Sequence, residues 1–336
     1  MQVSAVIPTC NRKKRLLFLL DCLNRSEHNL CEVTIVDSGE DHLMESEISS
    51  FLNLHIEYLL SEKSVCIQRN IGIKAAKSEW ILLCDDDIEV PADYLKKLVK
   101  HIQLQQQLVA VSGLFLQKER NEWTAKYSIT SSAFLLWQYI FKLSIWGEIN
   151  CANNIITKPI KKYYRRKGNH ISKAGWPVIT NFSGDYFTTP LYSLGAALIQ
   201  RSWLINSPFD EALDPYGIGE HYGVIADFPS QQIHVLNNAF VYHHHEEANR
   251  LQKSLQYYRR VLALDYFRQI KKQLKHIKKI WLLWSLFGNL LVFTFKKNSI
   301  MMKANYKAMR AIFLNKNPYY KAHQHSKKIV QPDFNN

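Results

Sequence analysis

Three consecutive aspartates are the side chains in this sequence that most directly suggest chemistry. Asp85, Asp86 and Asp87 follow the apolar run 80–84, which is typical of a buried strand. Adjacent carboxylates repel one another unless a cation or a basic side chain neutralises them. Mg²⁺ and Mn²⁺ take oxygen ligands and keep coordination positions open for phosphate oxygens. The triplet therefore predicts a divalent-metal site that faces a diphosphate, and the alternative is a solvated acidic turn that caps the next helix.

A sheet covered by helices is predicted to position these carboxylates. Apolar, β-rich runs occupy residues 3–7, 32–36, 56–60, 80–84 and 109–115, and helix-compatible segments occupy 13–25, 65–76 and 91–107 between them. Strands that alternate with helices predict the α/β class, with a mainly parallel sheet flanked by helices. Ligands of such sheets bind beyond the carboxyl ends of the strands, which is where Asp37 and the aspartate triplet lie.

Composition and charge limit the classes of protein that fit. The chain has 336 residues, 47% of them hydrophobic, which suits one large domain with appendages or two domains and argues against wholesale disorder. Lys and Arg number 43 against 29 Asp and Glu, and the net charge of +14 indicates an anionic partner such as nucleic acid, phospholipid or a phosphorylated substrate. The six cysteines form no CxxC pair, so neither a disulfide framework nor a zinc site is expected.

The region beyond residue 245 is predicted to be helical and strongly basic. An apolar run of 16 residues, 280–295, lies between lysine pairs at 278–279 and 296–297. A spanning helix needs about 20 residues, so we predict a helix that lies on an anionic membrane surface. The alternative is an ordinary amphipathic helix packed on the sheet domain. Because the N-terminus shows no signal-peptide pattern, we expect a cytoplasmic protein attached peripherally to the inner face of the cell membrane.

Several segments, in order along the chain, resemble family 2 glycosyltransferases. They read VIPTCNR (6–12), IVDS (35–38), QRNIG (68–72), WILLCDDD (80–87), GAA (195–197), FDE (209–211), YGIGE (216–220) and AFVYH (239–243). The resemblance covers about residues 1–245 apart from an insertion, and it implies the GT-A fold. It divides the chain into a nucleotide-sugar-binding half (1–118), the insertion (119–182), an acceptor-binding half (183–250) and a basic, amphipathic helical extension that associates with membranes (251–336).

The same resemblance implies which residues contact the donor and a metal. The implied donor contacts are Pro8, Thr9, Asn11, Arg12, Asp37, Arg69, Asn70, Asp85 and Asp86. Asp85 and Asp87 match the DxD metal motif of the family, and His243 stands where the family often places a further ligand. These matches imply Mn²⁺ or Mg²⁺ as cofactor and a nucleotide-sugar donor, with a UDP- or dTDP-sugar favoured over a GDP-sugar.

The position of the catalytic base departs from the family pattern. The family commonly has Glu-Asp there, with the second acid accepting the proton of the acceptor hydroxyl, whereas this chain has Glu220-His221. A desolvated glutamate or an imidazole can serve as a general base, and we favour Glu220 because the preceding glycine is retained. Asp185, Asp210 and Glu211 are the expected acceptor contacts.

Together these features predict an inverting glycosyltransferase that transfers a sugar to a lipid-linked saccharide acceptor in cell-surface polysaccharide synthesis. A sugar-1-phosphate nucleotidyltransferase is disfavoured because the first loop, residues 8–12, contains no glycine. A basic membrane- or nucleic-acid-binding protein with a non-catalytic domain would also explain the charge. No nucleic-acid-binding signature is present, so no nucleic acid partner is expected.

Overall fold

The computed structural model describes residues 1–105, 107–119, 121–125, 127–213, 215–229, 232–244, 251–325 and 329–332. The strands are β1 Val3–Thr9, β2 Glu32–Asp37, β3 Ile56–Leu60, β4 Trp80–Cys84, β5 Ile88–Glu89, β6 Ala110–Glu119, β7 Glu122–Thr124, β8 Ser128–Ile129, β9 Ile145–Trp146, β10 Glu148–Ile149, β11 His170–Ile171, β12 Pro177–Ile179, β13 Tyr186–Thr189, β14 Ala196–Gln200 and β15 Ile233–His243. The helices are α1 Lys13–Asn24, α2 Glu45–Ile48, α3 Val65–Ala75, α4 Tyr94–Leu104, α5 Ser132–Phe141, α6 Thr157–Lys167, α7 Arg201–Asn206, α8 His221–Ala226, α9 Lys253–Ile270, α10 Lys279–Phe295, α11 Ser299–Phe313 and α12 Pro318–Gln324, with a 3₁₀ turn at Lys272–Leu274. The predicted strands and helices of the first 115 residues are all present.

One sheet of ten strands dominates the described part of the chain. Its order is β13-β15-β6-β14-β4-β1-β2-β3, with β5 paired to β15 and β7 to β6. Strands β1 to β4 are parallel, as predicted. Strand β14 runs antiparallel to both β4 and β6, because the chain enters β14 at the edge where β4 ends, with Ala196 opposite Cys84. The complete sheet is therefore mixed: its β1–β4 half is parallel, as expected for the nucleotide-binding sheet, and beyond β14 strands β6 and β15 are again parallel to each other.

Helices bury both faces of this sheet. Strands β1, β2 and β4 are buried along their whole length, as the continuous apolar runs predict. One face is covered by α1 and α4, through residues such as Leu19 and Leu98. The other face packs against α3, α8 and α9, through residues such as Ile73 and Leu262. This double cover leaves the carboxyl ends of the strands as the open edge.

Residues between β7 and β13 build small elements around a core of their own. Short strands pair as β8–β10 and as β11–β12–β9, and they enclose Leu135, Ile145, Ile160 and Val178. Helices α5 and α6 contribute Leu135 and Ile160 to this small core. Helix α5 contacts α10 of the C-terminal region, where Phe141 of α5 meets Trp284 with ring centroids 4.9 Å apart.

The C-terminal helices differ in how they pack. Helix α9 belongs to the main core, and Val261, Leu264, Tyr266 and Phe267 are fully buried. Helix α10 is buried on one side only. In the part of the chain that the structure describes, no helix combines the length and apolar character needed to cross a membrane.

Candidate active site

An open cleft of about 330 Å³ lies at the carboxyl ends of β1 and β4. Of the predicted donor contacts, Pro8, Thr9, Arg12, Arg69, Asp85 and Asp86 line this cleft, together with Asp87, His243 and Glu220. Its position agrees with the rule that parallel sheets bind ligands beyond the ends of their strands. The β1–β4 half of the sheet therefore brings most of the predicted donor and metal residues to one place.

Asp86 is anchored to the loop that follows β1. Its carboxylate accepts hydrogen bonds from the Thr9 hydroxyl at 2.8 Å and from the Arg12 guanidinium at 2.7 Å. Burial raises the pKa of Asp86 to about 6, and the positive charge of Arg12 opposes that rise. The central aspartate of the triplet thus ties β4 to the loop at residues 8–12.

Arg69 joins the triplet to the chain segment that carries Glu220. This buried guanidinium donates to Asp85 at 2.7 Å and to Glu220 at 3.0 Å. Burial alone would raise the pKa of Glu220, but the hydrogen bond and charge of His221 and the charge of Arg69 lower it to about 2. Glu220 is therefore an ion-paired carboxylate with little affinity for a proton.

Gly195 allows Asp85 to reach Arg69. A Cβ at position 195 would lie 1.9 Å from Asp85 Oδ2, which is an impossible separation. The Asp85 amide also donates to the Gly195 carbonyl at 2.8 Å. A side chain at position 195, just before β14, would therefore displace the Asp85 carboxylate from its present position.

Asp87 and His243 face each other across the same cleft. Antiparallel pairing sets His243 of β15 opposite Ile88 of β5, and this register brings His243 Nε2 to 3.4 Å from Asp87 Oδ1. The other Asp87 oxygen lies 3.2 Å from Arg12. Among the described residues, no group of three or more His, Cys, Asp or Glu side chains is arranged so that it could hold a metal ion by itself. A carboxylate and an imidazole that converge in this way nevertheless fit a Mg²⁺ or Mn²⁺ ion, because these ions take their remaining ligands from substrate phosphates and water.

Asp37 and Asn11 lie next to the cleft without lining it. Asp37 is buried at the end of β2, where it accepts from the Gly39 amide at 2.7 Å and contacts His42 and the Tyr58 hydroxyl. Asn11 has a φ of 54°, and its side chain accepts from the Glu40 amide at 2.7 Å. Both residues shape the loops beside the cleft in this structure.

Three predicted contacts lie around a different cavity. Asn70 bonds through its carboxamide to the backbone of Phe209, at 2.8 and 2.9 Å, and to Glu211 at 3.1 Å. Asp210 accepts from the Ala212 amide at 3.0 Å and contacts the Tyr266 hydroxyl. Consecutive residues on a helix point about 100° apart, so Arg69 and Asn70 cannot both face the cleft. All three line the cavity beside α7 and α9 instead of the cleft, and the donor role of Asn70 and the acceptor roles of Asp210 and Glu211 stay predictions.

Asp185 is also far from the triplet. It is exposed just before β13, which stands four strands from β4 in the sheet order. At about 4.8 Å between neighbouring strands, this places it roughly 19 Å away. Asp185 is thus separated from the triplet, and its role as an acceptor contact stays a prediction.

A second cavity, of about 660 Å³, adjoins the cleft. Tyr216, Ile218 and Glu220 line both spaces, whereas His221 lines only the second. The walls of this cavity come from three separated parts of the chain, with Trp146 and Trp176 from the β7–β13 region, Tyr192 before β14, and Tyr257 and Asn289 from α9 and α10. Sequence reasoning missed these residues because aromatic side chains in apolar runs are typical of any core. The aromatic segment 133–146 is the sequence signal that could have indicated a ligand wall.

Comparisons with known proteins agree with this architecture. The family model described as glycosyl transferase family 2 matches residues 4–189, more than half of the chain. An uncharacterized glycosyltransferase of Bacillus subtilis, YwdF, is 32% identical over 104 residues, which are 31% of this chain and 39% of that protein. The aligned part thus spans less than half of that relative.

Two solved structures share the fold. Residues 1–349 of S. aureus TarS in complex with UDP-GlcNAc give a TM-score of 0.54 at 14% identity, covering 97% of this chain and 93% of that one. The mannosyltransferase PcManGT from Pyrobaculum calidifontis, in complex with GDP-Man and Mn²⁺, gives 0.50 at 13% identity and covers 97% of this chain and 86% of that one. The extent of the family match and this shared architecture show that the chain belongs to glycosyltransferase family 2 and has the GT-A fold.

Proposed function

We propose that this protein is an inverting glycosyltransferase that moves a sugar from a nucleoside-diphosphate donor to a hydroxyl group of a saccharide acceptor. The observation that carries the proposal is the junction of two cavities at Glu220: one holds the aspartate triplet, and the other holds His221. A donor diphosphate in the first and an acceptor in the second would bring the anomeric carbon and the attacking hydroxyl together. Such positioning is itself a large contribution to catalysis.

The donor diphosphate is proposed to lie between the triplet and Arg12. Asp87 and His243 would hold Mn²⁺ or Mg²⁺, with Asp85 beside them at the end of β4. When bound, the ion neutralises the negative charge that develops on the departing diphosphate. Arg12 lies close enough to Asp86 and Asp87 to contact phosphate oxygens as well. We expect a UDP- or dTDP-sugar as donor.

His221 is the better candidate for the general base, contrary to the preference for Glu220 drawn from the sequence. Glu220 is ion-paired with Arg69, and its lowered pKa makes it a weak base. His221 Nδ1 lies 3.5 Å from Glu220 Oε2, which leaves Nε2 available to the acceptor cavity. The acceptor hydroxyl gives its proton to this nitrogen while its oxygen attacks the anomeric carbon from the face opposite the leaving diphosphate. A single displacement of this kind inverts the anomeric configuration.

A nucleotide-sugar screen tests the proposed donor chemistry. We expect one or more of UDP-, dTDP- and GDP-sugars to be turned over with Mn²⁺ or Mg²⁺, and turnover to fall by about 10²-fold or more in excess chelator and in Asp87→Ala. The measurement is release of the nucleoside diphosphate. Asp93→Ala, which removes an exposed carboxylate paired with Lys97, is the matched control and should leave turnover unchanged. Full turnover in excess chelator would contradict the metal assignment.

The acceptor is proposed to be lipid-linked, and the C-terminal helices to attach the enzyme to the inner face of the membrane for synthesis of a cell-surface polysaccharide. Helix α10 exposes Ile280, Trp284, Phe287 and Phe295 by 70, 38, 40 and 76%, on one side of the helix. Residues 266–332 hold fifteen Lys and Arg and no Asp or Glu. An exposed apolar face bordered by lysines is typical of a helix lying on an anionic bilayer.

Vesicle flotation tests the attachment. Binding to vesicles rich in phosphatidylserine should exceed binding to phosphatidylcholine vesicles and weaken as salt screens the lysines. Each lysine near an anionic surface contributes about 1 kcal/mol, so Lys296→Glu/Lys297→Glu should reduce the partition coefficient by more than about tenfold. Lys100→Glu, which changes an exposed lysine of α4, should have no effect. Equal binding to both kinds of vesicle would refute electrostatic attachment.

A further inference from the structure

The 660 Å³ cavity beside His221 has features of a built ligand site. Its volume is within the range of about 300–1,000 Å³ that is usual for small-molecule pockets. Residues of the insertion and of helices α9 and α10 supply part of its wall. The residues that line the cavity therefore indicate which class of ligand binds in it.

Two tryptophans on the wall are held by their polar edges. Trp176 donates its indole N–H to Ser285 of α10 at 2.8 Å, and Trp146 donates to the Ala125 carbonyl at 3.2 Å. Trp146 also stacks on Tyr192, with ring centroids 5.7 Å apart. Because these bonds fix the rings, the tryptophans offer a rigid apolar surface whose hydrogen-bonding capacity is already used. The C–H face of a sugar ring is the complementary surface.

Amide groups occupy another part of the same cavity. Gln138 of α5 has a buried side-chain oxygen that finds no hydrogen-bond partner among the described residues. Asn289 of α10 donates to the Tyr257 hydroxyl at 3.0 Å, which in turn donates to Asn305 at 2.6 Å. A buried acceptor without a donor is unfavourable by about 1–3 kcal/mol, and a turn of the Gln138 carboxamide toward the cavity would let a ligand hydroxyl remove that penalty. Hydroxyl groups at the edge of a sugar meet this requirement.

The charge of the lining is low. Apart from Glu220 and His221 at the junction, Arg260 is the charged side chain among the described lining residues, and it lies exposed on α9. The many other lysines and arginines of this basic chain are absent from the described wall. A phosphate or carboxylate inside the cavity would therefore meet one arginine and no lysine among the described lining residues, which is little positive charge for a buried anion.

We infer that this cavity binds the acceptor as an uncharged saccharide of one or two rings, stacked on Trp146 and Trp176 and hydrogen-bonded to Gln138 and Asn289. The inference rests on the proposed transferase function and names the substrate class of its acceptor side. It assigns the insertion and α10 to acceptor recognition in addition to any contact with a membrane.

Equilibrium titration of the whole protein without nucleotide or metal tests this inference. The probes are methyl glycosides and disaccharides of neutral hexoses and N-acetylhexosamines, with glucuronides and sugar phosphates as charged counterparts, and the readout is calorimetric heat and tryptophan fluorescence. We expect saturable binding of at least one neutral glycoside. Its charged counterpart should bind about tenfold or more weakly.

Two variants separate binding from folding. Gln138→Leu removes an oxygen that has no described protein partner, so the variant should have the unfolding temperature of wild type. Its affinity for the neutral glycoside should be about tenfold lower, which is the contribution of one hydrogen bond. Trp146→Leu should weaken it by a similar or larger factor. Phe313→Leu, which changes an aromatic side chain of α11 that is 68% exposed and outside this cavity, is the matched control and should bind like wild type.

The outcomes distinguish this inference from the proposed function. Tighter binding of the charged probes, unchanged binding in both cavity variants, or no saturation with any neutral probe would overturn the inference. Metal-dependent turnover of a nucleotide sugar would then still support the transferase. Conversely, neutral glycosides that bind as expected in a protein that turns over no nucleotide sugar would support the cavity and contradict the transferase.

Discussion

Replacement of His221 by asparagine should lower the rate constant for sugar transfer by about 10²–10⁴-fold, the usual contribution of a general base. The KM for the donor should stay near that of wild type, because His221 lines the acceptor cavity and not the donor cleft. The measurement is transfer to a neutral glycoside with the donor found by the nucleotide-sugar screen. Single-turnover kinetics separate the chemical step from product release.

Two companion variants identify which side chain accepts the proton. His221→Asp recreates the Glu-Asp pair of the family and should recover much of the activity lost in His221→Asn, with a pH profile extended to lower pH because carboxyl groups ionise at lower pH than imidazoles. Glu220→Gln should have a smaller effect, on the order of tenfold, if Glu220 orients His221 and Arg69. Near-normal transfer by His221→Asn together with its loss in Glu220→Gln would assign the base to Glu220 instead.

Replacement of Arg69 by methionine should destabilise the protein by about 3–5 kcal/mol, because it leaves two buried or half-buried carboxylates without their partner. Arg69 is 4% exposed and bonds to both Asp85 and Glu220. Donor turnover should fall as well, since Asp85 loses the contact that orients it. The measurement is the free energy of unfolding from urea denaturation at neutral pH.

The ion pair of Arg25 with Asp21 provides the control for this effect. It spans one turn at the surface, with side chains 63% and 53% exposed, and Arg25→Met should change the unfolding free energy by less than about 1 kcal/mol. Adding Glu220→Gln to Arg69→Met removes one uncompensated charge and should restore part of the stability. Equal effects of the Arg69 and Arg25 substitutions on the unfolding free energy would show that the ion pairs of Arg69 stabilise the protein no more than a surface ion pair does.

Local sequence patterns were sufficient for the first half of the fold. Continuous apolar runs at 32–36 and 80–84 became fully buried parallel strands, because a strand covered on both faces needs apolar side chains on both. The aspartate triplet reached the open edge of the sheet for the same reason, since it directly follows one of these strands. The antiparallel direction of β14 relative to β4 and β6 was not predictable from the residues of β14, because strand direction depends on the path of the preceding chain.

Neighbouring residues in sequence can serve different sites. Arg69 and Asn70 were predicted together from one motif, yet the helix turns Arg69 toward Asp85 and Asn70 toward the backbone of Phe209. A motif identifies a position along the chain, whereas the direction of each side chain is set by the packing of the helix that carries it.

The sequence by itself determined the strand and helix pattern, the place of the carboxylates at a strand end and the resemblance to one enzyme family, because these depend on residues close together in the chain. Only the tertiary structure decided which side chains from distant parts of the chain come into contact. Arg69 and Glu220 are 151 residues apart in sequence, and their ion pair supports the proposal that His221 is the base. The cavity beside His221 likewise gathers Trp146, Tyr192 and Asn289 from three separate regions. Contacts of this kind depend on strand order and on how helices pack. The short-range periodicity of the sequence predicts neither.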